Sequence, residues 1–73
     1  MNQKMVFKYL DILGESANGF DAAVQNAIEE TAKTVRDIRT AEVIKLNVVV
    51  SNDKVVEYQA YVRVAFKVEE KRT

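Results

Sequence analysis

The sequence predicts an α+β chain of order βαββ, a three-stranded antiparallel sheet curled around one helix. Three observations carry this. Phe20 to Ile38 repeats apolar residues at helical steps, and Lys54 to Glu69 alternates apolar and polar residues with period two. Met5 to Leu13 and Thr40 to Ser51 are rich in branched and aromatic residues, as strands are. The 73 residues allow one domain, 1–73.

Met5 to Leu13 is the first strand. Apolar groups fall on both of its faces, so both are expected to be covered. Gly14 is expected to end it. Ser16 is the expected N-cap, its hydroxyl accepting from an amide of the first helical turn. The capping box is missing, because Gly19 stands where Glu or Gln would close it.

Phe20, Ala23, Val24, Ala27, Ile28, Thr31, Val35 and Ile38 trace one helical stripe. Asp21, Gln25, Asn26, Glu29, Glu30 and Lys33 fall opposite. Glu29 and Lys33 form an i,i+4 pair in the favourable order. The helix is expected to end between Lys33 and Asp37, with Arg36 near its negative terminus.

In the last strand Val56, Tyr58, Ala60, Val62, Val64, Phe66 and Val68 alternate with Glu57, Gln59, Tyr61, Arg63, Ala65 and Lys67. In the strand before it Ile44, Leu46, Val48 and Val50 form the apolar face. A two-residue turn at Asn52-Asp53 would set even positions opposite odd ones and point these faces apart. A three- or five-residue loop centred on Asp53, with or without a bulge, is therefore expected. It would pair Val50 with Val56, Val48 with Tyr58 and Leu46 with Ala60. The expected core is Phe20, Val24, Ala27, Ile28, Leu46, Val48, Val62, Val64 and Phe66.

An unbroken last strand spans about 50 Å at roughly 3.3 Å per residue, and the helix about 30 Å. The sheet must curl strongly or pack its overhang on another subunit. The opposite face mixes Val43, Val49, Tyr61 and Ala65 with Lys45, Asn47, Gln59 and Arg63. That composition suits a subunit or ligand interface.

Composition narrows the function. There is no Cys and no His, which removes disulfides, thiolate metal sites, the commonest zinc ligand and His-based catalysis. A small chain without those staples is expected to oligomerise. Eleven basic residues balance eleven acidic ones, which gives no electrostatic basis for nucleic acid. No apolar run is long enough for a membrane span, and the start, Met1-Asn2-Gln3-Lys4, leads into a strand. A cytoplasmic location is expected. No paired carboxylates suggest catalysis, so the chain is not expected to be an enzyme.

Four pieces of sequence resemble the dodecin family. They are Leu13-Gly14-Glu15-Ser16 followed by Phe20, Ala23 and Ala27-Ile28; Thr34 to Val43; Tyr58-Gln59; and Val64-Ala65-Phe66-Lys67-Val68. Together they run from about Met5 to Glu69. The resemblance implies a hollow homododecamer that stores or sequesters a small molecule, a flavin such as FMN or riboflavin. Paired rings would stack between tryptophans of two subunits, with a third-strand glutamine bonding the ring's pyrimidine edge.

Gln59 stands at the glutamine position. Thr40 stands at the tryptophan position, and the chain has no Trp at all. Lys45 and Val49 occupy positions that are acidic in some members. Cofactor-binding candidates are thus Gln59, Thr40, Tyr61 and Lys45, with flavin affinity expected to be reduced. Simpler readings stand beside them: Gln59 as a solvent-facing strand residue, Thr40 as a β-former opening a strand, Tyr61 as interface packing. Lys45 and Arg63 could be solvated or paired with Glu57 or Glu42. The alternative function is a dodecin-like shell that serves another ligand, an ion, or assembly alone.

Overall fold

A computed structural model describes residues 5–68. Strand β1 (Phe7–Ser16) leads into helix α1 (Phe20–Ala32), followed by β2 (Ile38–Ser51) and β3 (Lys54–Lys67). The sheet order is β1-β3-β2, antiparallel throughout. This is the predicted βαββ architecture. Residues Met1 to Lys4 and Glu69 onward, including the expected end of the last strand, lie outside the described residues.

Gly14 does not end β1, which continues to Ser16 paired with Tyr58. The reason is packing. A Cβ on Gly14 would stand 2.1 Å from the Ala23 carbonyl oxygen and 2.8 Å from the Ala27 Cβ. Gly14, Ala23 and Ala27 are all buried. The glycine lets the helix backbone approach the strand, a close-contact role rather than a terminating one.

The helix starts later than expected. Gly19, with φ +129°, is the N-cap and gives no side-chain cap. Ser16 instead accepts the Asn18 amide through its hydroxyl at 3.0 Å, a local turn bond. Asn26 donates to the Glu15 carbonyl at 2.9 Å and ties helix to strand. The helix closes at Ala32, short of the expected range, with Lys33 as C-cap. Arg36 therefore lies beyond its last turn. Lys33 pairs with Glu30 at 3.1 Å instead of Glu29, which accepts from Gln25.

The hairpin turn differs from expectation, yet most of the register holds. Ser51 opposes Lys54 across a two-residue turn, and Asn52 and Asp53 both have positive φ, as a type I′ turn requires. Val50 consequently pairs with Val55. One extra residue on β3, Val56, then restores the phase, and Val48 opposes Tyr58 and Leu46 opposes Ala60 as predicted.

Two further bulges lie on β2, at Arg39 and Ile44. The second switches faces. Val43 opposes Val62 on the helix side, where it had been expected on the opposite face.

The buried core under the helix is narrower than predicted: Ala23, Ala27, Ala60, Val62, Val64 and the polar Thr31, with Ala65 buried on the opposite face of the sheet. Thr31 donates to the Ala27 carbonyl at 2.7 Å, which satisfies its hydroxyl. Phe20, Val24, Ile28 and Phe66 are half-buried, Phe20 edge-on to Tyr58. Leu46 and Val48, expected in the core, are 48% and 41% exposed. The thirteen-residue helix is only about 20 Å long at 1.5 Å per residue. It packs on β1 and β3 and barely reaches β2. The described chain is 59 Å along its longest axis, so the β2–β3 hairpin overhangs the helix.

Candidate ligand-binding face

Strand side chains alternate between faces, so the register assigns each residue to the helix side or to the bare side. On β3 the bare side carries Glu57, Gln59, Tyr61, Arg63 and Ala65. Its rows, from β1 through β3 to β2, are Tyr9–Ala65–Thr40, Asp11–Arg63–Glu42, Leu13–Tyr61–Lys45 and Glu15–Gln59–Asn47. All four candidates, Thr40, Lys45, Gln59 and Tyr61, thus lie on one face. The bulge at Ile44 makes this so. Without it, Thr40 and Lys45 would point to opposite sides of the sheet.

Sharing a face is not sharing a pocket. Gln59 and the Thr40 row are six residues apart along β3, roughly 20 Å at 3.3 Å per residue. Lys45 and Tyr61 are directly paired, and Gln59 is two residues further along. Lys45, Tyr61 and Gln59 therefore form one cluster, and Thr40 stands apart at the far end of β3.

The hydrogen bonds of this face centre on a residue that sequence reading missed. Asp11 accepts two bonds from Arg63, at 2.7 Å from Nε and 2.9 Å from Nη2, and a third from the Tyr61 hydroxyl. Arg63 therefore pairs with Asp11 and not with Glu57 or Glu42. The bidentate fork is the stronger form of such a pair. These bonds, Arg63 first and Tyr61 second, hold the Asp11 carboxyl down at about 2. The same contact with Asp11 raises the Tyr61 phenol above its ordinary value. It also raises the Arg63 guanidinium. The antiparallel register puts Asp11 opposite Arg63; the strand order β1-β3-β2 was the fact the sequence did not supply.

Gln59 donates through Nε2 to the Glu15 carboxylate at 3.4 Å. Its carbonyl oxygen is then available to accept. Arg63 also lies over the Tyr9 ring, with Cζ 5.7 Å from the centroid, within cation–π reach. Among the described residues, no group of three or more His, Cys, Asp or Glu stands together to hold a metal ion. No helix among them is long and apolar enough to cross a membrane.

The dodecin family model matches residues 6–69. The chain belongs to the dodecin family. It is 34% identical over 65 residues to the dodecin of Thermus thermophilus, covering 89% of this chain and 94% of that one. A Mycobacterium tuberculosis protein named calcium dodecin is 32% identical over 62 residues, covering 85% and 87%. A solved Thermus thermophilus structure superposes with a TM-score of 0.88 at 32% identity, covering 93% of this chain and all of that one. Dodecins form homo-oligomers and bind small ligands.

The Gln59 amide offers a donor and an acceptor, the pattern a pyrimidine edge requires. Thr40 offers no planar surface on which an aromatic ring could stack.

Proposed function

We propose that this chain is a binding protein and not an enzyme, built as a hollow homododecameric shell in the cytoplasm. Its ligand is a small planar molecule of flavin type, FMN or riboflavin, held with reduced affinity. The observation that supports this most is the gathering of Lys45, Tyr61, Gln59 and Thr40 on one face that the helix leaves bare.

The separation of Thr40 from Gln59 bears on the assembly. A ring system of about 10 Å cannot touch both ends of a span of roughly 20 Å. A site that uses both residues must draw them from two copies of the chain. The apolar overhang supports such assembly. Leu46, Val48, Val50, Val55 and Val56 are exposed in a single copy, and protein surfaces of this kind are usually covered by a partner.

Gln59 recognises the ring edge through its amide, with Glu15 fixing the amide's orientation. Lys45 supplies a positive charge on the same row as Tyr61, suited to a ligand phosphate. A bound flavin supplies a planar apolar ring with a donor–acceptor edge. Burial of that ring, and not chemistry on it, is the function.

Titration of the purified protein with FMN, riboflavin and lumichrome, read by flavin fluorescence quenching, tests the proposal. Weak saturable quenching that Gln59→Ala abolishes is the expected result. Absence of quenching by all three, with calcium binding detected in a parallel titration, would instead favour an ion-binding shell like the relative's name suggests.

A further inference from the structure

Tyr9 adds a further aromatic side chain to the bare face. Tyr9 is 72% exposed, the highest exposure among the large hydrophobic residues of the described chain. It occupies the same row as Thr40, with only Ala65 between them. Two strand spacings separate the Tyr9 and Thr40 backbones, roughly 10 Å. Ala65 is small, so the row has a low centre flanked by Tyr9 on one side and Thr40 on the other.

The ring of Tyr9 is not left loose. Arg63 sits against it at 5.7 Å, and Arg63 is itself fixed by two bonds to Asp11. Asp11 is further held by the Tyr61 hydroxyl. An exposed aromatic backed by a tethered guanidinium has lost part of its rotamer freedom before any ligand arrives. Binding to a preorganised ring costs less entropy than binding to a mobile one.

Tyr61 is the other aromatic on this face, and it is less suited to replace a ring at Thr40. It is half-buried, its hydroxyl is committed to Asp11, and it lies four residues from the Thr40 row, roughly 13 Å along β3. Tyr9 alone is both exposed and in the row.

We propose that Tyr9, held by the Asp11–Arg63 pair, supplies the aromatic platform for a planar heteroaromatic ligand at the end of the face where Thr40 supplies none. The inference rests on the binding function proposed above and names the residue that makes it feasible without a tryptophan. The platform recognises the ring and not a side chain attached to it, so a bare tricyclic ring and one with a ribityl tail depend on it alike.

The test compares the whole assembled protein with Tyr9→Leu, Tyr9→Phe and Tyr9→Trp, using lumichrome and riboflavin as probes and flavin fluorescence as the readout. Sedimentation confirms that each variant has the parent's mass. Tyr9→Leu is expected to weaken both probes by roughly 2- to 12-fold, the range of one aromatic pair. Tyr9→Phe should keep the parent affinity, and Tyr9→Trp should tighten it. The same series is repeated on Thr40→Trp, so that a weak parent does not hide the effect. Equal affinity of parent, Tyr9→Leu and Tyr9→Trp would overturn the role of Tyr9 while leaving the binding function intact. Failure of every protein in both series to bind either probe would overturn both. Should Tyr9→Leu not assemble, the Tyr9→Trp gain still decides: no tightening means no platform.

Discussion

Gly14 and Ala23 touch backbone to backbone: the space for a Cβ on Gly14 is already filled by the Ala23 carbonyl oxygen, 2.1 Å from where that atom would stand. Ala27 closes the same space from one turn further along the helix. A methyl group added here must push α1 off β1. Overpacking of this kind costs about 1–3 kcal/mol and sometimes more. Gly14→Ala should therefore lower the denaturant midpoint with little change in slope. A stability equal to the parent's would mean that helix and strand are not packed this tightly.

The core itself rests on few side chains. Val62 and Val64 are fully buried and are the largest side chains that are. Val62→Ala removes two methyl groups at about 0.8 kcal/mol each, before any cavity cost. A loss of about 2 kcal/mol is expected from chemical denaturation. Phe66→Ala removes a larger side chain, worth about 3–5 kcal/mol where it is fully buried. Phe66 is only half-buried, so the lower end of that range is expected.

The strongly periodic parts of the fold were legible. The helical stripe from Phe20 and the alternation from Tyr58 to Phe66 gave the elements and their facing sides. The bulges were not legible, since an extra residue in a strand leaves no local chemical signature when its neighbours are Val, Ile and Lys. The bulge at Val56 reconciles a two-residue turn with aligned faces, a combination the parity argument excluded only for regular strands. The bulge at Ile44 moves Val43 to the helix side and sets Thr40 on the bare face beside β3. Asp11 was missed for a different reason: its partners are 50 and 52 residues away. Only the strand order makes them neighbours.

The turn offers a second stability test. Asn52 and Asp53 have φ of 51° and 61°. Asn tolerates this region well, and glycine at the second position is the favoured partner in a type I′ turn. Asp53→Gly should stabilise the hairpin by up to about 1 kcal/mol, read as a raised melting temperature. A lowered one would contradict the turn type.

The Asp11 cluster predicts an acid response. Its folded carboxyl titrates at about 2, below the ordinary aspartate value of about 3.9, because Arg63 and then Tyr61 bond its charged form. A depressed acid stabilises the fold above its unfolded value. That contribution begins to fade as pH falls through about 4 and is gone below about 2. Tyr61 moves the other way: its raised phenol adds stability below the ordinary tyrosine range and loses it as pH rises through the folded value. In Arg63→Ala, carboxyl titration by NMR should find Asp11 back toward the ordinary range. An unmoved Asp11 would show that Arg63 is not the dominant cause.

Assembly should depend on the overhang. Leu46 is 48% exposed in one chain, so a charge there disturbs little within the protomer. Buried between subunits, the same charge would be costly. Sedimentation equilibrium at micromolar concentration should give a mass near twelve chains for the parent and a smaller species for Leu46→Asp, with helical circular dichroism retained. A monomeric parent would remove the basis for a site shared between copies.

Ligand affinity should turn on Thr40. An aromatic pair contributes about 0.5–1.5 kcal/mol beyond its area burial, and a ring face left against Thr40 loses further apolar contact at about 25 cal/mol per Å². The two effects together weaken binding by roughly 2–3 kcal/mol, or about 30- to 150-fold. Thr40→Trp should recover much of this, since Gln59 already presents the edge-recognising amide on the same face. The Ile44 bulge matters here too, because a tryptophan at position 40 is useful only if it projects to the bare side. Flavin fluorescence quenching by parent and variant measures the difference. If the parent binds as tightly as Thr40→Trp, position 40 is not the determinant, and the tyrosines of the face carry the ring without it.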